Sequence, residues 1–127
     1  MHSLRYYYLA QPYYGTELEI KQRVTIAHEV CFKFLQQGVP VFSPVAHNHA
    51  IIEQAPPLTS EQRRDIFLTY DFVMLRSAAA MIVLKIPGWK QSHGLQCELE
   101  FCVKQDIPVL YVEEDLEISS EFIAQLA

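Results

Sequence analysis

Four short stretches of the chain are mostly apolar, and the segments between them repeat apolar residues every three or four positions. The apolar stretches are Leu4–Ala10, Val39–Ser43, Ala80–Lys85 and Ile107–Val112, all rich in β-branched or aromatic side chains. Strands covered on both faces read this way, as runs rather than as alternations. Between the first two, Ile20, Val24, Ala27, Cys31, Phe34 and Leu35 fall on one helical stripe, and Gly38 followed by Pro40 supplies a stop. A second helix is predicted from Thr59-Ser60-Glu61-Gln62, a capping-box pattern, to about Ser77, with Ile66, Tyr70, Val73 and Met74 turned inward. Leu95, Leu99, Cys102 and Val103 mark a third helix, and a short last one covers about Ser119 to Leu126. Ser43–Pro57 reads as a long loop after the second strand.

Strand and helix in alternation mean parallel strands joined by right-handed crossovers. The expected architecture is a single α/β domain over residues 1–127, a three-layer sandwich of the flavodoxin or Rossmann kind with strand order 2-1-3-4. Ligands in such sheets sit outside the carboxyl ends of the strands at the switch point, here between the first and third strands. Three segments should meet there: Ala10–Gly15, Ser43–Pro57 and Ile86–Gly94.

Charge narrows the ligand. With 10 Lys and Arg against 15 Asp and Glu, the net charge of -5 argues against a nucleic-acid polymer. The run Ala78–Leu84 is too short to span a bilayer, and Met1–Tyr8 lacks the apolar core of a secretory signal, so no membrane partner is expected. Three cysteines, Cys31, Cys97 and Cys102, form no CxxC pair and read as reduced thiols of a cytoplasmic protein.

The candidate chemistry concentrates in Pro87-Gly88-Trp89-Lys90-Gln91-Ser92-His93-Gly94-Leu95-Gln96-Cys97-Glu98. Ser92 stands where a helix N-cap belongs, and Gly94 lets a ligand approach the backbone. The free N–H groups and dipole of that helix start suit a phosphate or a hydroxyl-rich sugar. Glu98 lies one turn further in. Periodicity does not separate it from Glu100, since each sits about 100° from the stripe centred on Leu99, on opposite sides. His47 and His49 flank Asn48 in the second segment. Two histidines without further ligands make a poor zinc site, so no metal is expected and His47 is read as a phosphate or base contact. Trp89 is a candidate for stacking on a base, packing over a loop or lying in a subunit interface, and Arg23 could reach a phosphate from the first helix. Tyr6, Tyr7, Tyr8, Tyr13 and Tyr14 cluster in one short stretch, and some of these rings are candidates for a subunit interface.

Tyr8-Leu9-Ala10-Gln11-Pro12-Tyr13, Phe42-Ser43-Pro44-Val45-Ala46-His47, Pro87-Gly88-Trp89 and Ser92-x-Gly94-x-x-x-Glu98 together resemble the DUF1937 family, which is similar to the nucleoside 2-deoxyribosyltransferase superfamily. The resemblance runs from about Arg5 to Val112. It implies chemistry at the N-glycosidic bond of a nucleoside or nucleotide, without a cofactor. By the same resemblance Glu98 is the catalytic glutamate, Tyr8 orients it, and Asp71 handles the leaving base. Ser92 matches the residue that touches the 5′ end of the sugar, and serine there accompanies hydrolysis of 5′-monophosphates. Gly94, Ser43 and His47 complete the expected contacts. Relatives in the superfamily are often oligomeric, so a homodimer or larger homo-oligomer is expected.

Two positions depart from the superfamily pattern. Gln11 stands where a small residue is usual and narrows the pocket, and Ala79 replaces an aspartate at the start of the third strand. Both departures point toward a non-catalytic nucleotide-binding module, one alternative, with a deoxyribosyltransferase as the other; the Ser92 match makes the expected activity an N-glycosidase acting through a glutamate nucleophile, 5′-monophosphates preferred.

Overall fold

A computed structural model describes residues 5–126, so Leu4, where the first strand was expected to begin, lies outside the described residues. Nine elements follow in order: β1 (Tyr7–Ala10), α1 (Glu17–Gln36), β2 (Val41–Phe42), α2 (Pro44–Gln54), α3 (Ser60–Arg76), β3 (Met81–Leu84), α4 (His93–Gln105), β4 (Val109–Val112) and α5 (Ser120–Gln125). The four strands form one sheet in the order β2-β1-β3-β4, with every pairing parallel. This is the expected α/β architecture. Each observed strand lies within its predicted run and is shorter than it.

Period-two alternation along β1 sorts its side chains into two cores. Leu9 joins Val30, Phe34, Ile82, Leu84, Val112 and Phe122 on the face covered by α1 and α5. Tyr8 and Ala10 join Leu75, Met81, Val83, Leu95 and Cys102 on the face covered by α3 and α4. β3 is buried at all four positions, which is why it reads as an unbroken apolar run.

The helix ends follow their local chemistry. Thr16 with Glu19 and Thr59 with Gln62 make reciprocal capping boxes on α1 and α3. α1 stops at Gly38, whose φ of +75° is the left-handed conformation that glycine adopts freely, and Val39 N–H then bonds back to the Phe34 carbonyl at 3.0 Å.

Two expectations are corrected. Ser43–Pro57 is not a loop: it contains α2, three turns long. Ser43 caps it by accepting from Ala46 N–H at 3.1 Å, and Pro44 occupies the first turn, where its missing N–H has no consequence. Several residues expected inside are outside: Ile66, Tyr70 and Val73 on α3, Leu35 on α1 and Val103 on α4 are exposed. α3 meets the core mainly through Leu75, with Phe67, Leu68, Asp71, Phe72 and Met74 half-buried on its inner side. Apolar residues lie on both sides of this helix, so periodicity alone selected the wrong stripe. In the tyrosine cluster Tyr6, Tyr7 and Tyr13 are half-buried and Tyr14 is exposed. Tyr6 O–H donates to the Met74 carbonyl and Tyr7 O–H to the Leu126 carbonyl, and Tyr8 is fully buried.

These burials give a direct stability test. Leu9→Ala should cost about 2–5 kcal/mol in urea denaturation, because it opens a cavity in a filled core. Val103→Ala, on a side chain 79% exposed, should stay within about 0.5 kcal/mol.

Candidate active site

At the carboxyl ends of the strands lies a cleft with about 580 Å³ of empty space, part of it open to solvent. The segment leaving β1 contributes Gln11, Tyr13 and Tyr14. α2 contributes Pro44, Val45, Asn48 and Ile52, which share one helical face; α3 adds Phe67, Leu68 and Asp71. Ser92, Gly94, Leu95 and Glu98 come from the start of α4. Most of the lining is apolar or aromatic and only a few polar groups converge, the usual make-up of a small-molecule site.

Glu98 belongs to this cleft and Glu100 does not. Glu98 is only 7% exposed, whereas Glu100 faces solvent. Tyr8 O–H donates to Glu98 Oε2, linking the middle of β1 to the second turn of α4. Burial pushes the Glu98 carboxyl up to about 8; the Tyr8 hydrogen bond opposes this and the nearby Asp71 charge adds to it. The Tyr8 phenol is raised well above its ordinary value, first by burial and then by the charge of Glu98.

Asp71 is held differently. Asn48 Nδ2 donates to its Oδ1 at 2.8 Å, and the Asn48 Oδ1 meets His47 Nδ1 at 2.9 Å. Burial raises Asp71 to about 6, against the Asn48 hydrogen bond and the His47 charge, which lower it. The cleft thus carries two carboxyls in unlike surroundings, the usual way a site assigns two acid–base tasks.

The helix start at α4 is open toward the cleft. Ser92 Oγ accepts from Leu95 N–H at 3.3 Å, which leaves its hydroxyl proton to donate elsewhere. A Cβ built on Gly94 would meet nothing within 4 Å. The loop before it is held by Arg23, whose guanidinium bonds the Tyr14 carbonyl at 2.6 Å and the Pro87 carbonyl at 3.3 Å. Arg23, read earlier as a possible phosphate contact, is thus a strut between two cleft-forming loops. Gly88 accommodates it: its φ is +92°, and an added Cβ would lie 2.9 Å from the guanidinium.

Tyr8, Asp71, Glu98, Ser92, Gly94 and Gln11 are therefore brought together, Tyr8 through its bond to Glu98. Three other candidates stand apart. Trp89 lines a separate surface hollow with Lys85, Lys90 and Glu113, and packs edge-on to Tyr111 at 5.9 Å. His47 is exposed and stacks on Tyr70 at 5.5 Å, reaching the cleft only through Asn48. Ser43 caps α2 and supports the wall without lining it. Asn48 is the residue that sequence reasoning passed over. With α2 recognised as a helix, the spacing Pro44, Asn48, Ile52 would have marked its inner face. Among the described residues no group of three or more His, Cys, Asp or Glu side chains is placed to hold a metal, and no helix is long and apolar enough to cross a membrane.

Comparison with known proteins agrees with this geometry at the level of the fold. A solved structure of a 2-deoxyribosyltransferase from Bacillus psychrosaccharolyticus superposes with a TM-score of 0.56 at 21% identity, covering 94% of this chain and 81% of that one. No curated protein sequence matches the chain. Residues 5–114 match the family model described as a domain of unknown function, DUF1937. With most of its length inside that match, and with a fold similar to a 2-deoxyribosyltransferase, the chain belongs to the DUF1937 family.

Proposed function

We propose that the protein cleaves the N-glycosidic bond of a nucleoside or nucleotide, preferring a 5′-monophosphate, with Glu98 as nucleophile and water as the final acceptor. The observation that carries this reading is a buried carboxylate, tied by Tyr8 to the central strand and facing a cleft that also holds a second carboxyl.

The steps balance as follows. A Glu98 oxygen bonds to the anomeric carbon as the bond to the base breaks, its electron pair leaving with the base nitrogen. Asp71 in its protonated form delivers a proton to that nitrogen. Water then attacks the anomeric carbon, passes a proton to Asp71, and releases Glu98 as the free carboxylate. Tyr8 fixes the angle of the nucleophile throughout. The apolar side of the cleft, with Val45, Ile52, Phe67 and Leu68, suits the flat faces of a base. Ser92 and the amide groups at the start of α4 suit the sugar's 5′ end and a phosphate on it.

In the empty cleft the proton prefers Glu98, the higher of the two groups. Attack needs it on Asp71 instead. Positive charge growing on the sugar above Glu98 favours that arrangement, because it stabilises the Glu98 anion in a low-dielectric setting. A second reading, transfer of the sugar to another base, is supported by the likeness to a 2-deoxyribosyltransferase. It differs only in what meets the glycosyl–enzyme intermediate.

Incubation with a panel of nucleosides and their 5′-monophosphates, with and without a second free base, tests all of this by chromatography. Free base should appear, fastest from monophosphates, and Glu98→Ala should reduce its release by about a thousandfold or more. A new nucleoside formed in the presence of the second base points to transfer. Tight binding without turnover overturns the enzymatic reading.

The pH profile of kcat/KM should be a bell, because only the pair carrying one proton is active. Its limbs should lie near the Asp71 and Glu98 values of about 6 and about 8, with the maximum between them. A profile that is flat from pH 5 to pH 9, outside the range of neither carboxyl, would remove the pair from the mechanism.

The same groups make the fold pH-dependent. A carboxyl raised by folding favours the native state while protonated in it, so that contribution is full below the ordinary carboxyl value of 4.5 and is lost as pH rises through about 8. Glu98→Gln keeps an acceptor for Tyr8 and removes the ionisation. Its Tm should match wild type near pH 4 and exceed it by a few degrees at pH 8.5, measured by calorimetry.

A further inference from the structure

We infer that Gln11 selects the sugar: its side-chain carbonyl accepts a hydrogen bond from a hydroxyl on the furanose face that Glu98 attacks. This rests on the cleft being a nucleoside site, as proposed above.

Gln11 follows β1 directly, is only 5% exposed and lines the cleft. Its Nε2 donates to the Arg23 carbonyl on α1 at 3.0 Å. Its Oε1 is buried and has no hydrogen-bond partner among the described residues. The two ends of the amide are not interchangeable here. Turned over, Oε1 would face the Arg23 carbonyl, setting two acceptors against each other at the 3.0 Å now spanned by a hydrogen bond. Arg23 therefore holds the amide with its carbonyl free. A buried acceptor without a donor is costly and uncommon, and a bound donor relieves it.

The type of donor follows from the geometry of the reaction. In a β-nucleoside the base stands on one face of the furanose, so a carboxylate that displaces it approaches from the other. The 2′ and 3′ hydroxyls project from that second face. Gln11 lies three residues after Tyr8, which holds Glu98, so one short piece of backbone sets both the nucleophile and the free carbonyl. A carbonyl cannot donate to a phosphate oxygen, and it repels an anion. The base side of the cleft has its own polar groups in Asn48 and Asp71. A sugar hydroxyl is the donor that remains. The bulk of Gln11 narrows the cleft, and its oxygen makes that narrowing selective.

The test compares ribo-, 2′-deoxy-, 3′-deoxy- and 2′,3′-dideoxynucleosides of one base, with wild type and Gln11→Met. The ratio of kcat/KM between sugars is taken within each enzyme, and the two ratios are then compared, so that intrinsic differences in sugar reactivity cancel. Wild type should favour the sugar carrying the recognised hydroxyl about tenfold or more over Gln11→Met's own preference, and the panel shows whether it is the 2′ or the 3′ group. Circular dichroism checks that the variant is folded; Gln11→Leu, which also lacks the carbonyl, replaces it otherwise. A sugar preference unchanged in both variants overturns the inference, while continued base release by wild type leaves the nucleoside reading standing. Wild type that neither binds nor cleaves any nucleoside overturns both.

Discussion

The contact between the Tyr8 hydroxyl and the Glu98 carboxylate is the constraint around which the cleft is built. A carboxylate moved out of water loses far more solvation than one hydrogen bond returns. Glu98 sits beside Leu95 and Cys102, both essentially fully buried, and Tyr8 is its one hydrogen-bond donor among the described side chains. The chain keeps the group ionisable in a place where an amide or an apolar side chain would cost less. Ionisable groups buried at such a cost cluster at functional sites. Here the contact gives α4 and β1 a fixed mutual distance as well, because a longer separation would leave both polar ends unpaired in the core.

β1 can hold that contact because it is an inner strand with parallel neighbours on both sides. Its two tyrosines, with Tyr6 just before it, show how a two-residue period divides labour. Tyr6 and Tyr8 point toward α3 and α4, where one bonds the Met74 carbonyl and the other Glu98. Tyr7 points the other way and bonds the Leu126 carbonyl beyond α5. Each hydroxyl pins a different helix to the sheet, so the register of one strand positions three sides of the molecule. A shift of one residue would exchange the faces and remove Tyr8 from Glu98 altogether.

The sheet order and most helix ends were readable from the chain because they rest on local chemistry: Gly38, the Thr59–Gln62 box and the apolar β3 run each act through near neighbours. What escaped depended on distant packing. α2 was read as a loop because Asn48, His47 and His49 suppress its apolar signal, and only the packed structure shows that Pro44, Val45, Asn48 and Ile52 share a face. Ile66, Tyr70 and Val73 looked like core because α3 is apolar on two sides, and the side that is buried is set by α4 and the cleft. Trp89 attracted attention by type alone. Its ring is half-buried against the core beneath α4 and packs with Lys85 and Tyr111, away from the cleft lining. The family resemblance supplied Tyr8, Asp71 and Glu98, which periodicity could not have singled out.

The unlike surroundings of the two carboxyls follow from which helices supply their neighbours. Asp71 on α3 meets α2, and through Asn48 it is linked to His47, an exposed ring in contact with solvent. That polar path offsets part of the burial and keeps the group near 6. Glu98 bonds the phenol of a fully buried tyrosine, and its deeper burial, with the Asp71 charge beside it, holds it near 8. Without Asn48 the difference would shrink, since Asp71 would lose its donor and its connection to the surface together. The difference between the two carboxyls therefore depends on α2, the element least visible in the sequence.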